Sequence, residues 1–326
     1  MAKMKSSAGA ALIAVLAIVI ALMFGCAEAD LNKQPQKAQI SVITKKQGPV
    51  FWAEVEQGAQ AAAKEFNVDV SFDAPENESD IDVQIALVEE AVENADALVL
   101  AASDYNALVP AAQKAKDAGM PVIIIDSALN SENIDAFVGT DNVDAGRKLG
   151  ESLVEKVGNK CRIVIMSFVK GTATANQRET GFREAAGLYP YIEVLDTLYC
   201  NSDEYLAEQL TKEALNAEPD IDAFVCLNAF GTVGAARAID ELGLAGRVKI
   251  IGFDSSTAEV KYLEKGVIQS LVIQNPFNMG YLGVKYAHDA LNNEQVPENY
   301  NTGSTTIDRE NMYFPENQKL LFPFTD

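Results

Sequence analysis

The chain is short of positive charge, cysteine and histidine. Of its 326 residues, 26 are Lys or Arg against 47 Asp or Glu, a net charge of −21, and no stretch is rich in Lys and Arg. A nucleic-acid-binding face needs clustered positive charge to release counterions, so that class of partner is excluded. The sole histidine, His288, sits inside YLGVKYAHDAL, away from any expected strand end, and reads as an ordinary helix residue rather than a base. No GxSxG nucleophile elbow is present, which argues against a hydrolase. An NAD-dependent oxidoreductase would place GxGxxG between its first strand and helix. Here that junction is TKKQGPVFWAEVEQG, with one glycine in the turn and a bulky Phe-Trp pair where a pyrophosphate needs close backbone approach. No enzymatic activity, cofactor or metal is expected.

The four cysteines are too far apart in sequence for a metal site or a CxxC pair. Cys161 begins an expected strand and Cys200 ends one, at opposite edges of a sheet. Cys200 and Cys226 stand two strands apart, about 9–10 Å, beyond the reach of a disulfide. These three read as small core hydrophobes.

What is present begins with Lys3 and Lys5, an apolar and small run over 8–24, then Gly25-Cys26 and the polar segment AEADLNKQPQK. This is the layout of an export signal. It resembles a bacterial lipoprotein signal in which Cys26 takes a lipid and becomes the mature N-terminus, although Met23 stands where that class usually has Leu. The expected arrangement is a signal over 1–26 and a flexible tether over 27–38. The protein is then exported and lipid-anchored at the outer face of the cell membrane, touching the membrane only through the N-terminal lipid. A signal-anchor helix is the other reading of the apolar run.

From Gln39 the chain alternates strand and helix. QISVIT, VDVSFD, ADALVLAASD, PVIIIDS and AFVGTDN read as strands of a first series. CRIVIMS, IEVLDTLYC, DAFVCLN, VKIIGFD and VIQSLVIQ form a second. Pro49 suits the start of the first helix, whose core stripe is Phe51, Val55, Ala59, Ala62 and Phe66. Later helices are expected over about 106–118, 145–157, 178–187, 204–216, 232–242 and 278–291. The helix in SDIDVQIALVEEAVENA is expected to be capped by Ser79 or Asp80. Continuous apolar strands imply sheets covered by helices on both faces. Two such series imply an α/β fold of two doubly wound parallel-sheet domains. A further helix and strand after the second series imply that the chain crosses back. The expected lobes are 39–141 plus 275–305 and 142–274 plus 306–326, joined by a three-strand hinge.

In open parallel α/β sheets, ligands sit outside the carboxyl ends of the strands. Asp126, Asn228, Asp254 and Gln274 each end an apolar strand, and Ser103 ends ADALVLAAS; for Asp104, followed by Asn106, capping is the better reading. Carboxylates accept hydrogen bonds and amides both donate and accept, so these strand ends can grip a polar ligand. Arg178, expected to begin a helix after the loop GTATANQ, offers a fork of charge-assisted donors. Trp52, the only tryptophan, lies one position off the core stripe, where a flat ring can stack on the apolar face of a ligand.

The segments GPVFWAEVEQGAQAAAKE, PVIIIDS, FVGTDNVDAGR, RETGF, VCLN, IIGFD and VIQNPFNMGYLG, in this order from Gln39 onward, resemble the sugar-binding branch of the class I periplasmic binding proteins, in particular the ribose-binding group. The resemblance implies two α/β domains that close on a sugar or polyol and deliver it, as a monomer, to an ABC transporter permease. A sensor presenting a sugar or signalling furanose to a receptor kinase or chemoreceptor is the alternative, and a repressor of the same fold would need a helix-turn-helix where this chain has its export signal. Asp126, Arg178, Asn228, Asp254 and Gln274 match ligand-contacting positions of the group, and Phe51 and Trp52 match its stacking aromatics. Ala101, Ser127 and Ser202 depart from it, standing where the group has Asn, Arg and Phe. Those departures leave volume for a ligand other than ribose.

Overall fold

The computed structural model describes residues 37–48 and 50–322. The expected signal with Cys26, the tether up to residue 36, and Pro49 lie outside the described residues.

The first series runs β1 (Gln39–Ile43), α1 (Val50–Phe66), β2 (Asp69–Asp73), α2 (Ile81–Asn94), β3 (Ala97–Leu100), α3 (Val109–Asp117), β4 (Val122–Ile125) and β5 (Ala136–Gly139). The second runs α4 (Asn142–Lys156), β6 (Lys160–Ser167), α5 (Ala173–Ala186), β7 (Tyr191–Tyr199), α6 (Glu204–Ala217), β8 (Ala223–Cys226), α7 (Ala229–Glu241), β9 (Lys249–Phe253), α8 (Thr257–Lys265) and β10 (Ser270–Ile273). Then come α9 (Pro276–Leu291), β11 (Asn299–Asn301), β12 (Thr305–Asp308) and α10 (Pro315–Leu321).

These strands make two six-stranded sheets, β11-β5-β4-β3-β1-β2 and β12-β10-β9-β8-β6-β7. The two orders coincide when β1 to β5 and β11 are matched with β6 to β10 and β12. All pairings are parallel except β10 with β12. The chain passes between the sheets three times, after β5, after β10 and after β11. The inner strands β3, β4, β8 and β10 are buried along their whole length, and β9 is buried beyond its first residue, as continuous apolar runs between helical layers should be. The edge strands β2 and β7 differ from that expectation: DVSFD and YIEVLDTLY alternate in exposure, because an edge strand has one face less well covered.

Helix α9 returns to lie on α1, and α4 lies on α5. Both crossings are backbone-close. A Cβ on Gly280 would stand 1.9 Å from the Val55 carbonyl oxygen, and one on Gly181 would stand 1.9 Å from that of Val143. The buried stripe of α1 is Trp52, Val55, Ala59 and Ala62, with Phe51 and Phe66 only half-buried at its flank.

Several helices begin earlier than their apolar periodicity implies, because polar strand-end residues double as caps. Asp141 caps α4, Asn228 caps α7 and Asn275 caps α9, each side chain accepting from a backbone N–H of the first turn. Helix α5 starts at Ala173, capped by Thr172, so the small polar run TATANQ is helical and Arg178 lies in its second turn, not at its start. Asp80 stands at the N-cap position of α2, but its carboxylate accepts from Asn77 and caps the preceding turn instead. The start of α3 is later than expected: Asp104 Oδ1 accepts from the N–H groups of Asn106 and Ala107 and holds a separate turn there.

Cys161, Cys200 and Cys226 are buried and free. Burial pushes the Cys161 and Cys200 thiols up to about 11 and the Cys226 thiol well above its usual value, so all three stay protonated.

Candidate functional site

The carboxyl ends of both sheets face one cleft, a cavity of about 260 Å³, room for a small molecule rather than a single water. Phe51, Trp52 and Asp126 line it from the elements of the first sheet, and Arg178, Asn228, Asp254 and Gln274 from those of the second. Ser103 is not brought into this wall. It is 2% exposed beyond the end of β3, its N–H donates to Gln84 Oε1, and its hydroxyl has no partner among the described residues. The buried Gln84 amide also donates to the carbonyls of Thr44 and Ala101, tying together the ends of β1 and β3. Ser103 belongs to that clamp.

Asp126 and Asp254 occupy equivalent strand ends. Both adopt the left-handed region, with φ of +57° and +79°. Aspartate tolerates that region better than most side chains, and such strain concentrates at functional sites. Each N–H donates to the neighbouring strand, Asp126 to the Val138 carbonyl and Asp254 to that of Val272. The Asp126 carboxylate holds the Lys45 ammonium at 2.8 Å, with both side chains about 5% exposed or less. Lys45 Nζ also lies 5.9 Å from the centroid of the Trp52 ring, which meets Phe51 edge-on at 4.8 Å.

Asp254 accepts from Gln274 Nε2 at 2.7 Å and from the Ala229 N–H at 3.1 Å. Gln274 Oε1 accepts from the Thr140 hydroxyl at 2.9 Å, which fixes the orientation of the amide. Burial raises the Asp254 carboxyl above its ordinary value, while Arg178 and the Gln274 hydrogen bond oppose the shift. Arg178 is 3% exposed. Its Nε donates to Asn142 Oδ1 and its Nη1 to the Leu227 carbonyl, each at 2.8 Å, and its guanidinium carbon stacks 3.8 Å from the Phe253 ring centroid. Burial lowers its pKa, opposed by Asp254, Asp126 and Glu78. Asn228 spends its Oδ1 on the Gly231 N–H of α7 and turns its Nδ2 to the Ser202 hydroxyl at 3.3 Å.

The two lobes also touch each other directly across the cleft. The Ser202 hydroxyl donates to Glu78 Oε2 at 2.7 Å, and Lys46 Nζ donates to the Ser202 carbonyl at 3.2 Å while standing 4.8 Å over the Phe230 ring. The small residue at position 202 leaves space for this bridge.

Lys45, Glu54, Glu78, Phe168, Glu204 and Phe230 line the cavity and escaped the sequence reading. Lys45 was within reach of the strand-end rule, since it follows QISVIT at the same sheet edge as Asp126. In TKKQG it looks like one of a solvated lysine pair. Glu54, Glu204 and Phe230 lie in helices, where the facing side depends on rotations that local sequence does not fix.

A two-domain α/β architecture with a polar cleft at the strand ends defines a small-molecule binding protein. The periplasmic binding protein domain model matches residues 40–295, and the chain belongs to that family. It is 30% identical to the D-ribose/D-allose-binding protein of Pseudomonas aeruginosa, over 92% of this chain and 96% of that protein. A carbohydrate transporter solute binding protein from Agrobacterium radiobacter, solved with D-arabinose, superposes with a TM-score of 0.86 at 29% identity, covering 88% of this chain and all of that one. An ABC transporter solute binding protein from Agrobacterium vitis with bound D-fucose gives 0.84 at 33% identity, covering 87% of this chain and 99% of that one.

Proposed function

We propose that this chain is a solute-binding protein that captures a monosaccharide or a closely similar polyhydroxylated molecule between its lobes and hands it to an ABC permease. The reading rests on one observation: Asp126 and Asp254 stand at equivalent strand ends of opposite lobes, and both line the same cavity. A ligand touching both carboxylates gains contacts only when the lobes are together. It therefore shifts the open–closed equilibrium by its differential affinity for the closed form.

In this reading Phe51 and Trp52 supply the apolar wall, Arg178 and Asn228 donate, and Asp254 and Gln274 accept and orient. The proposed lobes are 39–141 plus 275–305 and 142–274 plus 306–326, divided close to the three crossings; the third crossing ends slightly earlier, where β12 begins at Thr305. Cys26 carries the lipid, and the protein works outside the cytoplasmic membrane as a monomer.

A thermal-shift screen of the chain truncated at Cys26 tests the ligand class. A sugar at a hundred times its dissociation constant adds about 2.7 kcal/mol of stability. D-Ribose, D-allose, D-arabinose and D-fucose make the first panel, followed by other pentoses, hexoses and sugar alcohols. The absence of any shift across it would overturn the sugar reading.

A further inference from the structure

Every charged side chain of the cleft wall but one has a partner within the protein. Lys45 and Asp126 hold each other, and Arg178 is committed to Asn142, Leu227 and the Phe253 ring. Asp254 is bonded by Gln274 and Ala229, Glu78 by Ser202, and Glu204 by Arg237. Glu54, two residues beyond Trp52 on α1, is the exception. It is 7% exposed, it lines the cavity, and among the described residues it has neither a hydrogen bond nor an ion pair. A polar group withdrawn from water without a partner is costly, so buried ones nearly always have one. The open side of Glu54 is the cavity itself.

The charged environment decides which form of Glu54 meets the ligand. Asp254 is the charged group whose field reaches it. Burial first, and Asp254 second, push its carboxyl from the ordinary 4.5 up to about 7. The cations of the wall, Lys45 and Arg178, are engaged elsewhere. When a neutral ligand replaces the water in the cleft, the desolvation that favours the acid form increases.

We propose that Glu54 is a specificity-determining residue: its carboxylic acid, facing the same cavity as the Asp254 carboxylate, donates a hydrogen bond to an oxygen of the bound sugar. The pair then reads the ligand with one donor and one acceptor. A hydroxyl or ring oxygen satisfies Glu54, whereas a deoxy carbon or an ammonium group at that point does not. The inference rests on the sugar reading of the cleft.

Calorimetric titration of the wild type, Glu54→Gln and Glu54→Ala with D-ribose, D-allose, D-arabinose and D-fucose at pH 6 and pH 8.5 tests it. Thermal melting of the free proteins controls for folding, and the near-isosteric Gln variant stands in if Ala fails to fold. Wild-type affinity is expected to fall about tenfold between pH 6 and pH 8.5 as the donor proton is lost. Glu54→Ala weakens binding about tenfold at pH 6. Glu54→Gln, whose amide also donates, weakens it only about threefold at pH 6 and no longer responds to pH. Wild-type affinity in Glu54→Ala, or a pH decline that persists in Glu54→Gln, overturns the proposal while leaving the sugar reading intact. Failure of the wild type to bind any of the four sugars at either pH counts against the sugar reading, and the proposal falls with it.

Discussion

The two lobes build the same strand end in different electrostatic ways. In the first, Asp126 is satisfied by a full charge, the Lys45 ammonium at 2.8 Å. In the second, Asp254 occupies the equivalent turn with only neutral donors in contact, Gln274 and Ala229. Arg178 acts on it through space while its own hydrogen bonds go to Asn142 and Leu227. Both aspartates line the cavity. The first meets a ligand with a carboxylate that also holds its own lobe together through Lys45, and the second with one that has no cation bonded to it.

The strongest way to break this contrast is to remove each carboxylate. Asp126→Ala leaves the Lys45 ammonium buried without compensation and is expected to cost about 3–5 kcal/mol of stability. Asp254→Ala leaves neutral donors unpaired, costs about 1–2 kcal/mol of stability, and weakens ligand binding by about 1–3 kcal/mol. Urea unfolding and calorimetry of the two variants measure both quantities, and equal stability losses would remove the distinction.

Acidity sharpens the comparison next, because the Asp254 side of the cleft carries Glu54. Its folded value of about 7 lies above the ordinary 4.5. The unfolded chain gives up this proton first as pH rises. The stability contributed by Glu54 is therefore complete below about 4.5 and lost as pH climbs through about 7. A loss on the order of 2–3 kcal/mol between pH 5 and pH 8 is expected. Asp308, held low by Lys156 and two backbone N–H groups, acts in the opposite sense only at more acid pH. Urea midpoints at pH 5 and pH 8 follow the effect, and Glu54→Gln should reduce it without abolishing it, because burial also raises the Glu259 and Asp254 carboxyls.

The paired glycine crossings come third. Gly280→Ala and Gly181→Ala each force packed helices apart, at about 1–3 kcal/mol apiece in thermal unfolding. The effects on binding should differ. Gly181 shares α5 with Arg178, and a shift of that helix moves the guanidinium, so Gly181→Ala weakens sugar binding more than Gly280→Ala. The smallest effect belongs to the bridge between the lobes. Ser202→Ala removes the hydroxyl joining Glu78 and Asn228, worth about 1 kcal/mol. Small-angle scattering of the ligand-free variant should show a larger radius of gyration than the wild type.

Much of the site is legible in the sequence for a geometric reason. Parallel strands in one sheet end at one edge, so a polar residue closing an apolar run is placed without any knowledge of tertiary contacts. Asp126, Asn228, Asp254 and Gln274 all follow that rule. Ser103 follows it too, yet it is drawn away by the Gln84 side chain, a contact between α2 and the strand ends that no local pattern announces. Arg178 lines the cleft as expected, but from within a helix: the Thr172 cap and the two alanines after it carry TATANQ into α5. The two doubly wound sheets were readable from periodicity and length. The alternating exposure of β2 and β7 was not, because being an edge strand depends on the order of the sheet and not on the strand itself.

The three crossings between the sheets bear on how the molecule is made. Chains usually complete domains in order as they emerge from the ribosome. Here α9, which lies on α1, and β11, which finishes the first sheet, are synthesised only after β10 of the second. The first lobe cannot close its core until nearly the whole chain exists. Neither lobe matures ahead of the other, and a chain halted before Pro276 would present the uncovered α1 to whatever holds it. The division of labour in the finished cleft thus has no counterpart in its assembly.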